Sequence, residues 1–202
     1  MSDTASGPGT GTPAPDRPRY RTVDIVVAAV LGVACGVIFW FWGMLWAATE
    51  PLFLFFPPAQ AVLYGVWLLP GVLGGLIIRR PGAAVLTSTA AAVVSMLLGT
   101  QWGVAVVLAG FTQGLLPELV FAAGRYRRWG MVTAVLAGAA AGISPAIWDN
   151  IRYYPELPLS FQVPYGVIVV LSAALVAGVG GRLLTTALAK AGALTPFPSA
   201  QG

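Results

Sequence analysis

Few side chains in this sequence could take part in chemistry, and most of them lie inside or beside apolar stretches. Gln113 and Glu118 occur together in the run QGLLPE, within one such stretch. Ionisable residues at membrane depth are costly and are functional candidates by default. Glu118 is therefore either a ligand group or a carboxylate near the membrane surface, paired with a loop arginine such as Arg125. Gln113 is deeper, and its amide needs a partner there, which is either another helix or a substrate.

A second candidate group combines a carboxylate with aromatic rings. Trp148 and Asp149 end the fifth apolar stretch. A carboxylate beside a ring suits a small organic cation, through Coulomb attraction and cation–π contact. The alternative is an exposed ion pair of Asp149 with Arg152, which would contribute little energetically.

A third group lies on the second apolar stretch. Gln60, Tyr64 and Trp67 are spaced i, i+4 and i+7, so in a helix they share one face. We expect this face to meet Trp102, Trp148 and Asp149 below the outer membrane surface, where these side chains would form the wall of a ligand pocket. Ordinary helix packing would also explain the spacing.

Other kinds of chemistry lack their residues. The 202 residues include no histidine and one cysteine, Cys35, which excludes Ser-His-Asp and Cys-His catalysis and His-ligated metal sites. No phosphate-binding G-x-x-x-x-G-K-[ST] run, H-E-x-x-H or G-x-S-x-G occurs. We therefore expect neither an enzyme nor a resident cofactor or metal.

The composition indicates the elements that must position these groups. Apolar residues make up 57 % of the chain and charged residues 9 %, against about 25 % charged in a soluble domain. The predicted fold is an all-α integral membrane bundle. Its six transmembrane helices correspond to the apolar stretches Ile25–Trp46, Ala59–Ile78, Ala83–Leu98, Val104–Gly124, Met131–Trp148 and Val163–Leu184. The third is shorter than the roughly 20 residues that a membrane span needs.

Basic residues predict the orientation of the six helices. Ten of the eleven fall on one side of the predicted spans and only Arg152 falls on the other, so the N and C termini are expected in the cytoplasm. The net charge of +4 thus indicates membrane topology and not a nucleic-acid partner. We expect a disordered leader over residues 1–21, the membrane domain over 22–190 and a flexible tail over 191–202.

Aromatic residues gather at the outer helix ends. They form either an interfacial belt or, in part, the lining of a cavity, and they are Trp40, Trp42, Trp46, Trp102, Trp148, Tyr153, Tyr154 and Tyr165. Small residues also recur at four-residue spacing, as in the row Ala28, Gly32 and Gly36 of the first helix. Such a row lets another helix approach closely, either within the bundle or from a partner protein.

Several short segments together resemble the YkoE family. They are Tyr64-Gly65-Val66-Trp67, Arg79-Arg80-Pro81-Gly82-Ala83-Ala84, Leu97-Leu98-Gly99, and Gln113-Gly114-Leu115 followed by Glu118 and Val120-Phe121. The resemblance extends from about residue 22 to 190. YkoE proteins are substrate-binding S components of energy-coupling factor (ECF) vitamin transporters.

The resemblance implies a six-helix subunit of a prokaryotic plasma membrane, with a pocket near the outer face for thiamin or its hydroxymethylpyrimidine precursor. It also implies a transmembrane coupling protein and two cytoplasmic ATPases as partners, with the Ala28, Gly32 and Gly36 row as the contact with the coupling protein. The third helix departs from the family pattern, because Ser88 and Ser95 stand where relatives carry carboxylates. A solitary secondary carrier and a non-transporting membrane scaffold are the alternative functions.

Overall fold

The computed structural model describes residues 20–201, so all but the last two residues of the predicted leader lie outside it. Its helices are α1 (Thr22–Thr49), α2 (Gly65–Ile78), α3 (Ala83–Leu97), α4 (Ala105–Ala123), α5 (Met131–Arg152), α6 (Leu159–Ser172) and α7 (Gly181–Lys190). A π-helical segment, Ala173–Gly180, joins α6 to α7, so that Leu159–Lys190 is one continuous helix. Short 3-10 helices occupy Glu50–Phe53 and Pro57–Leu63 before α2, and Pro198–Gln201 at the end. The described residues contain no strand.

The six predicted helices are all present in the described part of the chain, and five are long and apolar enough to cross a membrane. The exception is α3, with 15 residues. At about 1.5 Å per residue it extends about 22 Å, against a hydrocarbon thickness of about 30 Å. Its ends therefore need hydrogen-bond partners from neighbouring segments, since the bilayer core supplies none.

The second helix is the centre of the bundle. Within its most apolar window 72 % of Pro57–Ile78 is buried, whereas the corresponding values for the other four long helices are 28 % to 33 %. Helix α2 contacts α1, α3, α4, α5, the π-helical segment and α7. Its glycines permit this, because a β-carbon at Gly75 would overlap the Phe121 ring and one at Gly74 would overlap Thr87. The surrounding helices leave their outer faces apolar and exposed, as expected for contact with lipid.

The bundle has two chemically distinct ends. We call the end that carries Arg21, Arg79 and Arg125 the basic end, and the end that carries Trp46 and Trp102 the aromatic end. The helices alternate in direction between the two ends, so the α1 C terminus and the α2 N terminus both lie at the aromatic end.

Polar groups at the basic end terminate the helices. The Asp24 carboxylate is fully buried; it accepts hydrogen bonds from the Arg21 backbone N–H (2.9 Å) and guanidinium (3.2 Å), and it lies 3.7 Å from the Arg80 guanidinium. Helix α2 ends where Arg79 adopts a left-handed conformation (φ 55°), and Gly82 (φ 87°) begins α3. A carboxylate at an α-helix N terminus satisfies N–H groups that have no partner within the helix.

The segment after α7 packs against the bundle, although the sequence predicts a flexible tail there. Leu194 and Phe197 are buried against α1 and α2. The Ser199 hydroxyl donates a hydrogen bond to the Ile77 carbonyl (3.0 Å), and the Arg21 guanidinium donates one to the Pro196 carbonyl (3.2 Å). The apolar side chains of Leu194 and Phe197 therefore hold this segment against the bundle, although its other residues are mostly small or polar.

Candidate functional site

A cavity opens at the aromatic end, among α1, α2, α4, α5 and α6. The space that the centre of a water molecule can reach is about 60 Å³, and a single water needs roughly 10–15 Å³ of such space. Six of the eight predicted binding residues line it: Tyr64, Trp67, Trp102, Gln113, Trp148 and Asp149. The structure thus brings together residues that are up to 85 positions apart in the sequence.

Aromatic rings form a continuous series along one side of the cavity. The Trp67 ring is 5.2 Å from both the Trp46 and Tyr64 rings and 6.4 Å from the Trp102 ring, centroid to centroid. The Trp102 ring is in turn 5.6 Å from the Tyr153 ring, near the opening. All four pairs are edge-to-face or tilted, which aromatic quadrupoles favour. The rings of this series line the cavity and make its wall largely aromatic.

The Asp149 carboxylate is the charged group of the cavity. It is 5 % exposed and accepts a hydrogen bond of 2.6 Å from the Tyr165 hydroxyl, and the Tyr64 hydroxyl interacts with it as well. The alternative ion pair with Arg152 is not formed, since the salt bridges among residues 20–201 involve only Asp24. The carboxylate is therefore held by two hydroxyl groups, with no cation beside it.

Just outside the membrane-spanning part of α5, the same charge affects the tyrosines that follow it. Burial, with the nearby Asp149 charge as the second cause, raises the pKa of both Tyr153 and Tyr154. Both hydroxyls therefore remain neutral hydrogen-bond donors at physiological pH.

Gln113 lies on α4 and is 8 % exposed. Its amide makes no hydrogen bond within the described part of the chain, although it lines the cavity. Helix α4 approaches α3 closely here because of two flanking glycines: a β-carbon at Gly110 would overlap that of Ala92, and one at Gly114 would lie 2.8 Å from the Ala84 carbonyl oxygen. Because the amide faces the cavity and has no hydrogen-bond partner in the described part of the chain, it is available to a ligand.

Comparisons with known proteins agree with this architecture. A family model described as the permease component of an ABC-type cobalt transport system matches residues 23–144. YkoE of Bacillus subtilis (strain 168), a protein named as an HMP/thiamine permease, is 31 % identical over 179 residues, which is 87 % of each chain. A crystal structure of an S component of an ECF transporter superimposes with a TM-score of 0.85 at 28 % identity, covering 91 % of this chain and 92 % of the other.

The chain belongs to the YkoE family of ECF-transporter S components. The predicted family is thereby confirmed, and so are the transport role and the membrane-spanning helices that it implies. Within this family member, several residues selected from the sequence have positions other than those expected.

Two of the predicted binding residues lie outside the cavity. Gln60 belongs to the 3-10 helix before α2, and its amide donates a hydrogen bond of 2.7 Å to the Trp46 carbonyl. Glu118 lies at the basic end, where its carboxylate accepts hydrogen bonds from the Gly82 and Ala84 backbone N–H groups (2.6 and 2.9 Å) and from the Tyr126 hydroxyl (2.6 Å). Gln60 thus supports the ring of Trp46 indirectly, and Glu118 caps α3.

The predicted partner-contact row of α1 faces into the bundle. Ala28, Gly32 and Gly36 are all buried. A β-carbon at Gly32 would lie 2.6 Å from that of Ala90, so the row packs against α3 within the same chain. The structure therefore places this row in packing within the chain, and its contact with a coupling protein stays a prediction.

Ser88 and Ser95, which depart from the family pattern, are 2 % and 1 % exposed and do not line the cavity. Ser88 faces α4, where a β-carbon at Gly114 would lie 2.9 Å from its own. A carboxylate would not fit in this contact. The close approach of α3 and α4 therefore requires a side chain as small as serine at position 88.

Five aromatic cavity residues were not selected from the sequence as binding residues: Phe39, Trp46, Tyr153, Tyr154 and Tyr165. All except Phe39 belong to the outer aromatic cluster, so part of that cluster lines a cavity, as one of its two interpretations predicts. The predicted topology offers a further indication that Tyr165 lies near Asp149. It follows Asp149 by 16 residues across a helical hairpin, which returns it to the same level of the bundle.

Proposed function

We propose that this S component captures the hydroxymethylpyrimidine precursor of thiamin, or thiamin itself through its pyrimidine ring, in the aromatic-end cavity. The observation that carries the proposal is the unpartnered Gln113 amide inside a cavity walled by aromatic rings. The name of the B. subtilis relative supports the same class of substrate.

The chemistry of an aminopyrimidine matches these groups. Its edge offers a ring nitrogen that accepts and an exocyclic amino group that donates, which is the complement of a carboxamide such as that of Gln113. Stacking on a ring such as Trp67 contributes roughly 0.5–1.5 kcal/mol. The Asp149 carboxylate would balance the positive charge of a thiazolium, and cation–π contact with Trp148 would add roughly 0.5–2 kcal/mol.

The size of the cavity favours one ring over two. With about 60 Å³ accessible to the centre of a water molecule, the cavity takes a single flat ring more readily than the two linked rings of thiamin. Thiamin would also contact Trp102 and the 42 %-exposed Tyr153, which line the cavity. Hydroxymethylpyrimidine is therefore the preferred ligand of the two.

Cobalt, which appears in the name of the matching family model, is disfavoured as the substrate by the donor groups. Cobalt sites in proteins are built from imidazole, thiolate and carboxylate ligands. The chain has no histidine, and the described residues contain no group of three His, Cys, Asp or Glu side chains that could hold a metal ion.

Delivery of the ligand requires partners. The proposed assembly joins this chain to a transmembrane coupling protein and two cytoplasmic ATPases, because the chain has no nucleotide-binding run of its own. Both termini would lie in the cytoplasm of a prokaryotic cell, with the aromatic end outside, as the basic residues indicate. The chain would bind and present its substrate without altering it chemically.

The test is calorimetric titration of the purified chain with hydroxymethylpyrimidine and with thiamin. Gln113→Leu should weaken binding of both ligands about tenfold or more, since loss of a buried hydrogen bond leaves the ligand edge unpaired. The matched control is Thr112→Val, on the same helix, whose hydroxyl bonds Ser144 away from the cavity (2.8 Å). Absence of binding by the unsubstituted chain would refute the substrate, and uptake by this chain alone in vesicles would favour a solitary carrier.

A further inference from the structure

A second concave surface lies on the lipid-facing side of the bundle, between α4 and α5. It is an open groove of about 710 Å³. Ala123, Ala139 and Ala140 form its low floor, and Val132 and Leu136, which are 74 % and 56 % exposed, stand along its α5 side.

The groove has the length of one membrane leaflet. Its α5 lining extends from Val132 to Ile143, a distance of about 16 Å at about 1.5 Å per residue. Half of the hydrocarbon core of a bilayer is about 15 Å. The groove begins at the basic end, where Gly124 and Arg128 line it, so its deep end is near the middle of the bilayer.

The loop between α4 and α5 leaves the groove open. Its largest side chain, Trp129, turns inward onto the Phe121 ring (5.3 Å between centroids) and below the Arg79 guanidinium (5.4 Å). Tyr126 also turns inward, to Glu118, with a left-handed backbone (φ 53°).

The charge at the mouth of the groove is positive. Arg128 lines it, and Arg125 and Arg127 belong to the same loop; all three are exposed. None of them forms a salt bridge with a described residue. A guanidinium at headgroup level is a strong partner for a phosphate group, and basic pockets between helices on the cytoplasmic side of a membrane bind anionic headgroups.

We propose that this groove is a binding site for an anionic phospholipid, with one acyl chain between α4 and α5 and the phosphate at Arg128. The proposal is independent of the substrate in the aromatic-end cavity, because the two surfaces share no residue. A transmembrane helix of a partner protein is a different occupant for the same groove, and the charged mouth favours the lipid over it.

The test measures the melting temperature of the delipidated chain in detergent, with phosphatidylglycerol or phosphatidylcholine of the same acyl chains. At about tenfold above its dissociation constant, phosphatidylglycerol should raise the melting temperature by about 3–6 °C, and phosphatidylcholine should raise it less. Arg128→Gln should remove this difference. Arg182→Gln, at the same end of the bundle but outside the groove, is the matched control and should retain it.

A second variant tests the acyl chain. Ala139→Phe fills the floor at a position that faces lipid, so the chain should fold and yet lose most of the shift. Equal shifts with both lipids, or an undiminished shift in Arg128→Gln, would overturn the proposal. So would a full shift with glycerol phosphate alone, which would indicate a headgroup site without the groove. Retention of the lipid shift by Ala139→Phe, with loss of coupling-protein association, would assign the groove to a partner helix instead.

Discussion

Substitution of Glu118 tests directly whether this carboxylate stabilises the fold or binds the ligand. In Glu118→Gln, one carboxylate oxygen becomes an NH2 group. The native carboxylate accepts three hydrogen bonds, from the Gly82 and Ala84 N–H groups and the Tyr126 hydroxyl. The amide would accept fewer, and its NH2 group would face backbone N–H donors at the start of α3.

The expected loss of stability follows from these contacts. A hydrogen bond to a charged group contributes about 1.5–3 kcal/mol, and a buried donor left without an acceptor costs about 1–3 kcal/mol. Loss of the negative charge at the α3 N terminus adds about 0.3–1 kcal/mol. Because such terms are not additive, we expect a total near 3–4 kcal/mol. For a chain of this size that corresponds to a fall in melting temperature of roughly 10 °C.

The assay combines thermal unfolding in detergent with titration of hydroxymethylpyrimidine. Glu118→Gln should unfold earlier and bind the ligand with an unchanged dissociation constant, because Glu118 does not line the cavity. Glu50→Gln, an exposed carboxylate at the aromatic end, is the control and should change neither quantity. An unchanged melting temperature with binding weakened tenfold would refute the capping role and make Glu118 a ligand group.

The Tyr126 hydroxyl refines the same test. Burial and the Glu118 carboxylate raise the pKa of Tyr126 above its ordinary value, so this hydroxyl remains a donor at every pH that the protein tolerates. Tyr126→Phe should therefore destabilise the native chain by about 1 kcal/mol and the Glu118→Gln chain by less. This coupling is what a shared hydrogen bond produces in a double-mutant cycle.

Three further outcomes are expected. Asp149→Asn should weaken thiamin binding more than hydroxymethylpyrimidine binding in a titration, because only thiamin carries a fixed positive charge; equal effects would make the carboxylate structural. Gly32→Leu should lower the melting temperature of the isolated chain, since even a β-carbon there would lie 2.6 Å from an α3 side chain. An unchanged melting temperature would instead favour contact of this row with a partner protein. Cysteines at Pro81 and Gln101 should be labelled from opposite sides by an impermeant reagent, with the unsubstituted chain as the blank, and same-side labelling would contradict a membrane-spanning α3.

The apolar runs of the sequence predicted the helices well. The prediction of the binding residues was limited by local backbone geometry. Apolar runs and basic clusters suffice for the six helices because lipid contact imposes a simple requirement on every residue. The face shared by Gln60, Tyr64 and Trp67 was predicted with α-helical spacing. The chain is a 3-10 helix over Pro57–Leu63, with about three residues per turn, so Gln60 turns away from the other two toward α1.

Partners distant in sequence explain the other differences. Nothing near Glu118 indicates that its hydrogen-bond donors belong to Gly82 and Ala84, 36 and 34 residues earlier. A row of small residues likewise predicts a close helix contact without saying whose helix. In α1 the contact is with α3 of the same chain, and only the three-dimensional arrangement distinguishes this from contact with another protein.

The buried amides and carboxylates finally indicate why Gln113 marks the site. Five such side chains are buried within residues 20–201, namely Asp24, Gln60, Gln113, Glu118 and Asp149. Four of them have hydrogen-bond partners in the protein, at helix ends or among the tyrosines. The Gln113 amide faces a cavity that is open at the aromatic end and large enough for water, so water can hydrogen-bond it until a ligand takes its place. The one without a partner borders the one aromatic cavity described here, and a ligand with a hydrogen-bonding edge would supply what the protein leaves out.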